Sequence, residues 1–183
     1  MSNIIIIGNG PAGISAALYT TRAGIETTII GKDDGALAKA AEVENYYGFR
    51  EPISGKQLIA DGIEGARRLG ATILTDEVVG LTYRDKLTVI AKGKEYSADS
   101  VLLATGTSRN APRIKGLREY EGRGISYCAV CDAFFYRGKD VAVLGSGDYA
   151  LHEALELLPT SGSVTLLTNG QPLNIQVPIS VFF

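Results

Sequence analysis

Residues 4–7 are four consecutive isoleucines. A continuous β-branched run of this kind reads as a strand buried on both faces, as in a parallel sheet. Residues 14–23 are rich in alanine and small apolar side chains and read as a helix, which Gly24 stops. A second apolar strand follows at 26–30, completing a βαβ unit. Residues 31–48 are polar and irregular, with one short helix expected. The stretch 54–69 predicts a helix with Ser54 as N-cap and Gly70 as its stop, and 71–75 predicts a strand. Three short alternating segments, 77–83, 87–91 and 94–97, are separated by Arg84-Asp85-Lys86 and Lys92-Gly93 and predict an antiparallel meander. Another buried strand is expected at 100–104. Residues 107–124, rich in Gly, Pro and Arg, read as a linker. The pattern then begins again, with a strand at 141–144, a helix at 151–158 and a strand at 163–167. The expected class is α/β with two Rossmann-like domains, 1–111 and 112–183.

Each half carries a glycine fingerprint between its first strand and its helix. In the first, Gly8 permits the tight turn, Gly10 lets a pyrophosphate approach the backbone, and Gly13 lets helix and strand pack closely. The N-terminus of the helix that follows presents free N–H groups to the phosphates. An acid is expected after the second strand to bind ribose hydroxyls. The chain instead has Gly31-Lys32, with Asp33 and Asp34 just beyond, so backbone around 31–35 is expected to serve. In the second fingerprint Gly145, Gly147 and Ala150 fit the pattern. The next strand, however, runs into Thr168-Asn169-Gly170, and no charged residue follows Glu156. Neither an arginine for a 2′-phosphate nor a carboxylate for a ribose is present there, which argues against an ordinary nicotinamide site.

Both cysteines of the chain lie in one tetrapeptide, Cys128-Ala129-Val130-Cys131. A Cys-x-x-Cys pair can close and open as a two-electron redox device. Structural zinc needs about four ligands, and the only other soft ligand is the single histidine, His152, so no metal site is expected. A purely structural disulfide would close a tiny loop and constrain the unfolded chain little. Asp132 follows the second cysteine, where a carboxylate could move protons during exchange or simply face water. His152, near Glu153 and Glu156, reads as part of a solvated helix face. The net charge of −2 gives no basic footprint for nucleic acid. The apolar runs are too short to span a membrane, and the N-terminus lacks a signal-peptide pattern. With two cysteines in one redox motif, the cytoplasm is the expected compartment.

These motifs, in this order, resemble the low-molecular-weight thioredoxin reductases. The matching segments are Gly8-Asn9-Gly10-Pro11-Ala12-Gly13, Glu42-Val43-Glu44-Asn45, Ala104-Thr105-Gly106, Cys128-Ala129-Val130-Cys131-Asp132 with Phe134-Phe135-Tyr136-Arg137, and the second fingerprint. The resemblance implies two three-layer ββα domains, the first binding FAD and the second, incomplete here, bearing the cysteines. It implies FAD contacts from Gly8, Gly10, Pro11, Ala12, Gly13, Gly31, Lys32, Gly35, Leu37, Asn45, Val78, Ala104, Thr105 and Gly106. It further implies that Cys131 forms the charge-transfer thiolate facing the flavin, that Cys128 attacks thioredoxin, and that Asp132 donates a proton. A homodimer is usual in that family. The family's basic segment for NADPH is replaced by Thr168-Asn169-Gly170, as in the subgroup that takes electrons from ferredoxin. Ferredoxin is therefore the expected donor, with NAD(P)H, or service as a peroxiredoxin-reductase flavoprotein component, as the alternative. The chain ends at Phe183, short of the family's usual two full domains.

Overall fold

The computed structural model describes residues 2–107 and 112–176. It divides into two units, Met1–Pro112 and Arg113–Phe183.

In the first unit, strands β1 (Asn3–Ile7), β2 (Glu26–Gly31), β3 (Thr72–Thr75) and β7 (Ser100–Leu103) form a parallel sheet in the order β3-β2-β1-β7. The isoleucine run explains the layering. Side chains alternate across a strand, so Ile5 and Ile7 face one side and Ile6 the other. Ile6 packs with Ile29, Ala17, Ala66 and Ala71 beneath the helices α1 (Pro11–Arg22) and α2 (Gly55–Arg68). Ile5 and Ile7 pack with Ile30, Val89 and Ala98 beneath an antiparallel meander of β4 (Val78–Tyr83), β5 (Leu87–Ala91) and β6 (Lys94–Ala98). The result is three layers: helices, parallel sheet and meander. Ile6, Ile29 and Val89 are wholly buried.

Helix α2 starts as its sequence predicts, with the Ser54 hydroxyl accepting from the Gln57 N–H at 3.1 Å. Helix α1 starts at Pro11, three residues earlier than the alanine-rich stretch suggests. Proline's fixed φ suits a first helical position, where its missing N–H costs nothing. The irregular stretch holds one short 3₁₀ turn, Leu37–Lys39, and a single bridge between Val43 and Ile53.

The second unit contains the short helices α3 (Leu117–Tyr120) and α4 (Ala129–Asp132), a 3₁₀ turn at Ala133–Tyr136, and β8 (Asp140–Leu144), α5 (Asp148–Leu157) and β9 (Ser163–Leu167). Strands β8 and β9 pair in parallel, Val141 opposite Val164. Part of the stretch that reads as a linker, 108–111, lies outside the described residues, and its later part is helical at α3. Among the described residues, the buried apolar side chains of this unit are three alanines, Ala129, Ala150 and Ala154, and Leu157. The two-stranded sheet leaves Leu144 and Leu167 exposed.

Candidate functional site

The first glycine turn sits at the carboxyl ends of β1, β2 and β7. The Gly8 N–H donates to the Ile30 carbonyl at 2.8 Å, and the Ala104 N–H donates to the Ile7 carbonyl at 2.8 Å. The ends of three strands are thus tied around one turn, which brings Gly31 and Ala104-Thr105-Gly106 beside the fingerprint. Gly8 has φ +114°, and a Cβ there would lie 2.2 Å from the Ala104 oxygen. A Cβ on Gly13 would lie 1.9 Å from the Gly8 oxygen. Gly10 differs: no atom lies within 4 Å of the position its Cβ would take. Gly10 is also the N-cap of α1 with no side-chain cap, so the Ala12 and Gly13 N–H groups have no intrahelical acceptor. A cradle closed at Gly8 and Gly13, open over Gly10 and lined by free N–H groups fits the pyrophosphate of a dinucleotide.

The end of β2 is more specific than its sequence suggests. Gly31 is buried, and a Cβ on it would lie 2.3 Å from the Asn9 side-chain amide. Glycine is needed there because Asn9, inside the fingerprint, folds over it. Lys32 pairs with Glu77 at 3.3 Å, and Glu77 also pairs with Lys92 at 3.0 Å. The hydrogen bonds from Lys92 and Lys32 hold the Glu77 carboxyl below its usual range, and Glu77 in turn raises Lys92. These residues, with Asp33, Thr75 and Asp76, line an open hollow of about 440 Å³. The Asp33 carboxylate accepts from the Gly35 N–H at 2.9 Å and closes the local turn.

Leu37 opens the 3₁₀ turn and lies against the first residue of α2, where a Cβ on Gly55 would be 1.9 Å from the Leu37 oxygen. Asn45 is exposed in the irregular stretch. Val78, the first residue of β4, is partly buried against the core cluster of Ile5, Ile7, Ile30, Val89 and Ala98.

In the second unit Cys128 and Cys131 are joined as a disulfide, with Cα atoms 5.3 Å apart. Cys128 is the N-cap of α4, and its Sγ accepts from the Cys131 N–H at 3.3 Å. Cys128 is half-buried, whereas Cys131 is exposed. Exposure in the disulfide form therefore does not by itself mark Cys128 as the attacking sulfur. The Ser126 hydroxyl donates to the Asp132 carboxylate at 2.5 Å, and the Ser126 Oγ accepts from the Cys128 N–H at 3.1 Å. Ser126 thus couples the carboxylate to the backbone of the first cysteine. Glu153, on α5, accepts from the Ala129 N–H at 2.7 Å. Neither Ser126 nor Glu153 stands out in the sequence. A serine two residues before a tight turn is a weak ST-turn signal, and nothing local points from Glu153 to a residue 24 positions away. His152 pairs with Glu156 at 3.7 Å along the face of α5.

The second glycine turn has the same frame but different surroundings. The Gly145 N–H donates to the Leu167 carbonyl at 2.9 Å. A Cβ on Gly145 would lie 2.6 Å from that of Ala150, so these two positions pack closely. Over the second glycine, however, lies the chain itself. The Asn174 N–H donates to the Ser146 carbonyl at 2.7 Å, Asn174 bridges Gly147, and the Gln176 N–H donates to the Asp148 carboxylate at 2.8 Å. With a carboxylate in the first turn of α5 and backbone across the loop, this turn does not fit a pyrophosphate. Among the described residues, no helix is long and apolar enough to cross a membrane.

Residues 2–177 match the family described as pyridine nucleotide-disulphide oxidoreductase. The chain is 47% identical over 171 residues to the bifunctional thioredoxin reductase/thioredoxin of Mycobacterium leprae, covering 90% of this chain and 37% of that protein. Among solved structures it is similar to the thioredoxin reductase of Streptococcus pyogenes (TM-score 0.83, 33% identity, 98% of this chain and 58% of that one). It is also similar to the atypical thioredoxin reductase of Desulfovibrio vulgaris Hildenborough (TM-score 0.56, 43% identity, 96% of this chain and 60% of that one). The chain therefore spans less than two thirds of the length of each of these three proteins.

Proposed function

The chain belongs to the pyridine nucleotide-disulphide oxidoreductase family, and on that premise we propose that it is the flavin- and disulfide-bearing part of an enzyme that reduces thioredoxin. Residues 1–111 serve the cofactor, which is FAD, and 112–183 carry the exchanging sulfurs. The observation that carries the reading is the Cys128–Cys131 disulfide held beside the Ser126–Asp132 pair. The open Gly10 cradle supports the cofactor assignment.

FAD, when bound, supplies the electron pair. Two electrons and two protons open the Cys128–Cys131 bond to a dithiol. Asp132 takes the Cys128 proton as the Cys128 sulfur attacks one sulfur of the thioredoxin disulfide, which forms a mixed disulfide and releases one thiolate. That thiolate takes the proton back from Asp132. Cys131 then attacks the Cys128 sulfur, restoring the enzyme disulfide and releasing the second thioredoxin thiol. Asp132 is placed for its step by Ser126. Val130, between the cysteines, and Phe134, just after them, are exposed and offer the partner an apolar surface. The resemblance suggests a homodimer working in the cytoplasm.

Reduced ferredoxin is the proposed donor. Two features favour it: the chain covers its own second glycine turn, and residues 168–183, directly after β9, contain no Lys or Arg. NAD(P)H is the second reading, favoured by the Gly145, Gly147 and Ala150 pattern between β8 and α5. Anaerobic mixing of the flavin-loaded protein with each donor decides between them. Prompt flavin bleaching by reduced ferredoxin and not by NADPH is expected. Bleaching by micromolar NADPH would overturn the ferredoxin assignment. Failure of both donors to yield reduced thioredoxin would overturn the enzymatic reading.

A further inference from the structure

Glu153 plays no part in the exchange steps above, yet its side chain reaches the backbone of the redox tetrapeptide. Its carboxylate accepts the Ala129 N–H at 2.7 Å in a partly buried contact, one residue from Cys128. Ala129 is itself buried, so the contact is held by packing between α4 and α5. We infer that Glu153 is a positioning residue that decides which sulfur of the reduced pair keeps its proton. This rests on the proposed redox role of the pair.

Two local influences act on Cys128 and oppose each other. Its Sγ accepts the Cys131 N–H at 3.3 Å, which favours a thiolate at Cys128. A carboxylate fixed one residue away disfavours a second negative charge there and keeps Cys128 protonated. Proton retention at Cys128 directs the single thiolate of the dithiol to Cys131. The other titratable groups around the tetrapeptide are Tyr127 before it, Asp132 at its end, and Tyr136 on the adjoining 3₁₀ turn. On α5 they are Asp148, His152 and Glu156. Of these, Asp132 is engaged by Ser126, Asp148 by Gln176, and His152 and Glu156 by each other. Glu153 is the carboxylate that meets the backbone between the two sulfurs.

Because the chain has only two cysteines, Cys131→Ser leaves Cys128 as its single thiol. The rate of iodoacetamide alkylation against pH then reads the Cys128 titration directly, without thioredoxin or any electron donor. Adding Glu153→Gln keeps an acceptor for the Ala129 N–H and removes the charge. Its midpoint is expected to fall by about one pH unit, giving about tenfold more thiolate at neutral pH. Glu153→Asp keeps the charge and is expected to hold the midpoint, and so is Glu156→Gln, whose carboxylate pairs with His152. An unmoved midpoint in Glu153→Gln overturns the inference. So does an equal fall in Glu153→Asp or Glu156→Gln, since the effect would then be packing or general surface charge. Circular dichroism on each variant confirms that the fold is retained. Loss of thioredoxin reduction with the alkylation shift intact would sink the proposed function and leave the role of Glu153 standing.

Discussion

Gly10 and Gly13 are three residues apart in the same turn, and alanine at each should produce opposite defects. At Gly13 a Cβ would stand 1.9 Å from the Gly8 carbonyl oxygen and 3.3 Å from Ile6 Cγ2. Ordinary non-bonded contact is about 3.5 Å, so α1 or the turn must retreat by roughly 1.5 Å. Both neighbours belong to the wall of the core, with Ile6 wholly buried. Overpacking of this kind costs about 1–3 kcal/mol, and backbone on one side puts Gly13→Ala at the upper end. Against a total stability of about 5–15 kcal/mol, that lowers the melting temperature by about 10 °C. At Gly10 the same methyl meets nothing within 4 Å, and φ is −74°. The fold should lose less than about 1 kcal/mol. The methyl does enter the space over the helix N-terminus, so the 1–3 kcal/mol falls on cofactor binding, about 5- to 150-fold in Kd. Thermal unfolding without added flavin, followed by an FAD titration read from flavin fluorescence, separates the two effects. The reasoning is refuted if Gly10→Ala melts as low as Gly13→Ala. It is refuted equally if Gly10→Ala binds FAD as tightly as the parent.

Asp132→Asn should leave the fold intact and slow thioredoxin reduction by about 10²-fold or more in a coupled turnover assay, since a positioned proton donor is lost. Ser126→Ala should act in the same direction but less, about tenfold, because one hydrogen bond to that carboxylate is removed. Asp99 accepts from the Asn3 N–H at 3.0 Å and from Lys86 at 3.2 Å, and these hold its carboxyl below the usual range, the Asn3 bond most. A depressed acid contributes stability above its unfolded pKa and loses it as pH falls through the folded one. Urea midpoints should therefore drop between neutral pH and about pH 3, and Asp99→Asn should shrink that drop. An unchanged acid limb in Asp99→Asn would mean that the β1 start is not secured through this residue.

How much was legible depended on whether local covalent geometry or distant packing decides a feature. Four isoleucines announce β1 because both faces of the central strand are covered, Ile5 and Ile7 by the meander and Ile6 by the helices. The spacing of Gly8, Gly10 and Gly13 was equally readable, since a side chain at the first or third position would collide with backbone. The short helix at Ala129–Asp132 was not, because four residues carry no periodicity and its support comes from Glu153 on another element. The two glycine turns expose the limit most clearly. Gly145-Ser146-Gly147 satisfies the same steric demands as Gly8-Asn9-Gly10, and both join a parallel strand to a helix. What differs is the space above the second glycine, open at Gly10 and crossed by Asn174 at Gly147. Fingerprint glycines specify the shape of a turn. Whether that turn accepts a phosphate is settled by what the rest of the chain places over it, here a segment 27 residues further on.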